Sequence, residues 1–99
     1  MARRGRFALL GDILSVIQKK QRISVSDLVS EARTSSAIIY GITEMLIKEG
    51  MVTIEKVNGR EYYFIIAPEG KTVLRKIKNF QKSLPPSLNE FLGIRHKND

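Results

Sequence analysis

An Asn-Gly pair at positions 58 and 59, flanked by two apolar-rich segments, constrains the fold of this chain more than any other feature. Asn and Gly both tolerate the positive φ angles of a type I′ turn, which joins neighbouring antiparallel strands. The sequence therefore predicts a β-hairpin over residues 52–65 with Asn58-Gly59 as its loop. Because strand side chains alternate between two faces, this register predicts a core-facing set: Val52, Ile54, Tyr63 and Ile65. The outer face then carries Thr53, Glu55, Tyr62 and Phe64.

Apolar residues three and four positions apart predict an amphipathic helix over residues 7–20. Its buried face is predicted to hold Leu10, Ile13, Leu14 and Ile17. Residues 22–24 predict a short strand. Ser24 and Asp27 have the spacing of a capping box, which predicts a second helix that ends at Ala32.

A third helix is predicted to begin at a cap on Ser35 or Ser36 and to run to Glu49, with Gly50 ending it. Its core face is predicted to hold Ile39, Ile42 and Leu46. Its opposite side is predicted to expose Ser36, Tyr40, Thr43 and Glu44.

Pro68 suits the first turn of a fourth helix, and Pro85-Pro86 must end it because proline cannot continue a helix. Four apolar residues at spacings of 4, 3 and 4 form a coiled-coil-like seam that predicts a dimer contact: Val73, Ile77, Phe80 and Leu84. Ser87 and Glu90 form a second capping box, which predicts a short terminal helix.

The net charge of +7 and the sequence pI near 10.0 favour a polyanionic partner, and nucleic acid is the leading candidate. The charge is polarised. Residues 1–22 carry six basic and one acidic side chain, whereas residues 23–50 carry two basic and four acidic. Alternatively, the excess of basic side chains serves only to keep the protein surface solvated.

No apolar run reaches the roughly 18 residues that a membrane-spanning helix needs, and no signal peptide is evident, so an intracellular, cytoplasmic protein is expected. The chain has no cysteine, which excludes disulfides and thiol chemistry. Abundant Ile and Lys without Cys or Trp are a compositional hint of a thermophile.

The sequence predicts neither an enzyme nor a cofactor or metal protein. The single histidine, His96, lies in a charged tail without catalytic partners. Gly70-Lys71-Thr72 imitates the end of a phosphate-binding loop, but Ile65 stands where that motif requires its first glycine. No small-molecule ligand is evident either.

The predicted order of helix, short strand, two helices, hairpin and helix is that of an α+β winged helix-turn-helix. Within it, residues 59–74 (GREYYFIIAPEGKTVL) resemble the second wing strand and following helix of archaeal winged-helix transcription regulators, and residues 43–52 (TEMLIKEGMV) resemble their recognition-helix end. Residues 75–80 (RKIKNF) extend the resemblance to the small archaeal chromatin proteins of the 10a type. The resemblance implies a homodimer joined by a C-terminal coiled coil, although Pro85-Pro86 departs from the long helix of that type.

This organisation predicts a basic N-terminal arm at residues 1–6 and a winged helix-turn-helix domain at residues 7–67. The C-terminal dimerisation helix and a short terminal helix follow at residues 68–92, and a flexible tail at residues 93–99. Such a protein would bind double-stranded DNA mainly through the phosphate backbone, as a nucleoid-associated or regulatory protein. Cations and hydroxyls placed for that role are Arg3, Arg4, Arg6, Lys19, Lys20, Arg22, Arg33, Thr34, Ser35, Ser36, Tyr40, Lys56 and Arg60.

The segment from Ser35 to Thr43 lacks Arg, Lys, Asn and Gln, which are the usual base-reading side chains, so only a modest sequence preference is expected. At least one of the two serines would act only as a helix cap, and a cross-strand pair with Glu61 would partly neutralise Lys56. The main alternative is a winged-helix adaptor that binds proteins through Tyr62 and Phe64. RNA binding is a further alternative.

Overall fold

The structure, a computed structural model, describes residues 5–91. It contains five helices and two strands within those residues: α1 (Arg6–Lys20), α2 (Val25–Ala32), α3 (Ser36–Lys48), β1 (Val52–Asn58), β2 (Glu61–Ile66), α4 (Pro68–Ser83) and α5 (Pro86–Phe91). The strands form an antiparallel hairpin, and Ile23 adds an isolated bridge to Phe64 of β2. The chain thus has the predicted α+β winged helix-turn-helix fold.

The predicted serine caps of α2 and α3 are present. The Ser24 hydroxyl accepts the Asp27 amide at 3.2 Å, and the Ser35 hydroxyl accepts the Ile38 amide at 3.3 Å. These bonds satisfy amides that the first turn of a helix leaves without a partner. After α3 the chain turns at Gly50, where φ is +77°. Positive φ costs glycine little, which explains why the helix ends there.

The core lies where α1, α2 and α3 meet the hairpin and α4. Its fully buried members include Ile13, Leu14, Ile17, Leu28, Ile39, Leu46, Val52, Phe64 and Leu74. Leu10 and Ile42, which were predicted to belong to it, are only partly buried against its edge. Thr43 was predicted to be exposed, and this was wrong: it is 2% exposed, and its hydroxyl donates to the Ile39 carbonyl at 2.7 Å.

The hairpin exists, but its predicted register is wrong by one residue. Val52 lies opposite Ile66 and Ile54 opposite Phe64, with an irregularity between Lys56 and Asn58. The turn lies at Gly59-Arg60, and among these residues only Gly59 has positive φ, at +46°. Asn58 therefore belongs to β1, and Val57 is the extra residue of a bulge.

This shift exchanges the two faces of β2. Phe64 and Ile66 are buried, whereas Tyr63 and Ile65 are only partly buried. Ile54, predicted as core, is an exposed large hydrophobic residue. The prediction that Phe64 lies on an outer contact face is therefore wrong.

As predicted, α4 begins at Pro68 and ends before Pro85-Pro86, and a short helix follows. The predicted cap of that short helix is wrong. Pro86 is the first residue of α5, so Ser87 lies inside the helix and is not its cap. The Asn89 side chain donates to the carbonyls of Gln81 and Leu84, both at 3.3 Å. These two bonds hold α5 against the end of α4.

Candidate nucleic-acid interface

A concave surface lies between the start of α2, the first half of α3 and the turn of the hairpin. It is lined by side chains from all three elements, including Ser24, Ser26, Ser36, Tyr40, Arg60 and Tyr63. Its volume of about 710 Å³ would admit a polymer segment or a small molecule. Besides these hydroxyls and Arg60, its lining includes the acidic residue Glu61 and the apolar residues Val25 and Val29. This mixture decides what the surface can bind.

Three of the predicted DNA-binding residues meet at this surface: Ser36, Tyr40 and Arg60. Tyr40 is 53% exposed, and Ser36 and Arg60 are exposed as well. Ser24 and Ser26 were missed as site residues, because their spacing before α2 indicated only a helix cap. The fold brings them close to α3, which the linear sequence does not show.

The turn of the hairpin places Arg60 and Lys56 in solvent. Lys56 lies opposite Tyr62, and the described residues show no ion pair between Lys56 and Glu61. The one-residue register shift is the reason, since it moves Glu61 opposite Asn58. Both cations at the hairpin end therefore keep their charge available for an anionic partner.

Within residues 5–91, two of the predicted cations at and just after the end of α1 form ion pairs, unlike those of the hairpin. The Arg22 guanidinium lies 3.4 Å from the Glu55 carboxylate and 4.5 Å from the centre of the Tyr63 ring. The Lys20 ammonium lies 3.7 Å from the Glu31 carboxylate. These pairs are solvent-exposed and contribute little stability. They nevertheless give Arg22 a structural role in linking the helical part to the hairpin. Lys19 is exposed.

The turn before α3 holds the remaining predicted residues. Arg33 is exposed and adopts the left-handed conformation at the end of α2, with φ of 55°. The Thr34 amide donates to the Val29 carbonyl at 3.2 Å. Of the two serines, Ser35 is the cap, and Ser36 is one of the residues that line the concave surface.

At the N-terminus, Arg6 is exposed and is the first residue of α1, one residue earlier than the predicted helix start. Gly5 occupies the cap position there. Arg3 and Arg4, as well as the predicted tail at residues 93–99, lie outside the described residues.

The predicted dimerisation seam is divided between two environments. Ile77 is buried in the chain's own core, and Val73 packs against that core. Phe80 is 47% exposed and meets the Phe7 ring edge-on at 5.6 Å, while Leu84 is half-buried. Two further apolar side chains, Leu88 and Phe91 of α5, are exposed. The part of the seam that remains accessible is therefore its C-terminal end.

Every helix within residues 5–91 is too short or too polar to span a membrane. The same residues contain no group of three or more His, Cys, Asp or Glu side chains that could hold a metal ion.

The fold is similar to that of several solved DNA-associated proteins. Sso10a-2 from Sulfolobus solfataricus, described as a DNA-binding protein, aligns over 80% of each chain with 22% identity and a TM-score of 0.71. BpsR from Bordetella bronchiseptica, whose DNA binding is regulated by 6-hydroxynicotinic acid, aligns with 17% identity and a TM-score of 0.70. That alignment covers 81% of this chain and 68% of BpsR.

FabT from Streptococcus pneumoniae, solved in complex with DNA, has a TM-score of 0.64 at 14% identity. The alignment covers 89% of this chain but 61% of FabT, so this chain spans less than two thirds of that protein. No family model matches the sequence, and no curated protein matches it. At these identities the comparisons establish the winged-helix fold that the sequence predicts.

Proposed function

We propose that this protein binds double-stranded DNA and seats one sugar-phosphate strand in the concave surface. The observation that carries the proposal is the meeting of Ser36, Tyr40 and Arg60 on one exposed surface between two helix starts and the hairpin turn. Hydroxyls, an arginine and helix N-termini are the groups that bind phosphate oxygens in proteins.

The two helix starts add to the electrostatic case. Ser24 caps α2 and Ser36 begins α3, so the positive ends of both helix dipoles are close to the surface. Arg60 and Lys56 supply full positive charges at the hairpin end. The net charge of +7 provides a long-range field that attracts a polyanion.

Sequence readout is expected to be modest. The exposed positions in the first half of α3, which would enter the major groove in a winged helix, carry no arginine, lysine, asparagine or glutamine. Phosphate contacts therefore supply most of the affinity. Such binding suits a small transcription regulator or a chromatin-associated protein of the cytoplasmic nucleoid, and the DNA-bound fold neighbour FabT supports this class of function.

Substitution of Arg60 tests the site. Arg60→Ala is expected to weaken binding to a mixed-sequence duplex by about tenfold at ~0.1 M salt, since a charge-assisted phosphate contact is lost. The measurement is fluorescence anisotropy with a labelled duplex. Arg75→Ala is the matched control, because Arg75 is an exposed α4 residue that does not line the concave surface. Equal losses for both variants would contradict the proposed site.

We further propose a homodimer formed through the accessible end of the seam, with Phe80 and Leu84 at its centre. Phe80→Ser is expected to convert the dimer to a monomer at micromolar concentration, as measured by sedimentation equilibrium. Val57→Ser, which removes an exposed apolar side chain from the hairpin, is the control and should leave the dimer unchanged. A wild-type protein that sediments as a monomer would rule out this dimer.

A protein-binding adaptor is the second candidate, and it is favoured by the exposure of the apolar side chains of Ile38 and Met45 on α3. An adaptor would show no affinity for a duplex even at low salt. The duplex measurement described for Arg60 therefore separates the two functions.

A further inference from the structure

The first half of α3 exposes small and apolar groups where a reading helix usually carries long polar side chains. Ala37 and Gly41 lie one turn apart on the outward side, and Ile38 beside them is 44% exposed. Apart from the adjoining residues and the backbone of α3 itself, no atom lies within 4 Å of the position that a Cβ would take on Gly41. We call Ala37, Ile38 and Gly41 the apolar face of α3.

An apolar surface can distinguish base pairs in only one way. In the major groove, thymine presents a C5-methyl group, whereas cytosine presents an amino group and guanine presents two acceptors. Contact with the methyl group buries apolar area on both sides. Contact with the polar edges of a G·C pair would displace water without replacing its hydrogen bonds.

Charge around the apolar face indicates that nucleic acid is its occupant. Arg33 precedes α3, and Arg60 and Lys56 lie at the hairpin end, where Glu61 is the acidic residue that lines the concave surface. The three cations outnumber this carboxylate. Glu44, the first acidic side chain of α3, lies a turn beyond the apolar face, in the half of the helix that leaves the groove. A protein partner would have to accommodate the flanking cations, whereas phosphates match them.

We propose that the apolar face of α3 recognises thymine methyl groups, so that this protein prefers major-groove sites rich in thymine. The proposal rests on the proposed DNA-binding function and names the feature of DNA that the site selects. Ile38 makes the largest contact, and Ala37 and Gly41 allow the helix to approach the bases closely. Tyr40, on the neighbouring side of α3, remains directed at the phosphate strand in the concave surface.

Replacement of thymine by deoxyuridine tests the proposal without altering the protein. The substitution removes only the methyl groups and keeps base pairing and phosphates. With two methyl contacts, each worth about fourfold, the affinity of a mixed-sequence duplex is expected to fall by roughly fifteenfold. Conversely, 5-methylcytosine in a G·C-rich duplex restores a methyl group at the same groove position and is expected to raise its affinity.

A pair of variants assigns the effect to the apolar face. Ile38→Ser is expected to abolish most of the difference between the thymine and deoxyuridine duplexes while the salt dependence of binding stays unchanged. Met45→Ser is the matched control, because Met45 is an exposed apolar residue in the second half of the same helix. The Met45→Ser variant should keep the full difference in affinity between the thymine and deoxyuridine duplexes.

The outcomes separate this proposal from the proposed function. Equal affinity for the thymine and deoxyuridine duplexes, with salt-dependent binding to both, overturns methyl recognition and leaves DNA binding standing. Absence of binding to every duplex at low salt overturns both. Retention of the full difference in the folded Ile38→Ser variant overturns the assignment to this face.

Discussion

Replacement of Gly70 by alanine is expected to lower the free energy of unfolding by about 3 kcal/mol. Gly70 lies in the first turn of α4, where a Cβ would collide with the Met51 carbonyl oxygen and lie 2.8 Å from Cγ1 of Ile66. The Met51 carbonyl cannot move away without cost, because it accepts the Ala67 amide at 2.9 Å. Equilibrium denaturation with urea measures the effect.

Gly41→Ala is the matched control for this experiment. It also places alanine in a helix, but no atom beyond the adjoining residues and the backbone of α3 lies within 4 Å of the new Cβ. The free energy of unfolding of Gly41→Ala is expected to rise by about 0.5–1 kcal/mol, because alanine loses less backbone entropy on folding than glycine. A Gly70→Ala protein as stable as the wild type would show that α4 does not approach Met51 as closely as described.

Truncation of Phe64 is expected to have an effect of similar or larger size. Phe64 is 1% exposed, so Phe64→Ala should lower the free energy of unfolding by about 4 kcal/mol through lost burial and the cavity left behind. Tyr63→Ala should cost about 1 kcal/mol, since Tyr63 is half-buried and loses its contact with the Arg22 guanidinium. Thermal and urea unfolding of the two variants measures which substitution lowers the stability more.

Which of these two stability losses is larger tests the register of the hairpin. The register predicted from Asn58-Gly59 places Tyr63 inside and Phe64 outside, and it would make Tyr63→Ala the more damaging change. The observed pairing of Ile54 with Phe64 requires the opposite order.

The register could not be obtained from the hairpin sequence because a distant contact fixes it. Ile23 and Phe64 exchange backbone hydrogen bonds of 3.1 and 2.8 Å, which hold β2 beside the segment between α1 and α2. This pairing, together with burial of Phe64 and Ile66, outweighs the local preference of Asn-Gly for a type I′ turn. The helices were predictable for the converse reason: their caps and apolar spacing are local, as Ser24, Ser35 and Gly50 illustrate.

Part of the candidate site was predictable because it depends on local sequence. Arg60 follows from the hairpin, and Ser36 and Tyr40 follow from the exposed side of α3. Ser24 and Ser26 join them only through tertiary packing. The pairing of Arg22 with Glu55 and Tyr63 depends on the true register, and so the sequence placed Arg22 among the phosphate contacts without revealing these partners.

The salt dependence of duplex binding by the unaltered chain tests the central claim most directly. Binding through about five phosphate contacts predicts that the logarithm of the association constant falls linearly with the logarithm of salt concentration, with a slope of about −4 to −5. Anisotropy titrations of a mixed-sequence duplex at several salt concentrations give this slope. No binding at the lowest salt concentration, or an affinity that salt does not change, would contradict DNA binding through the concave surface.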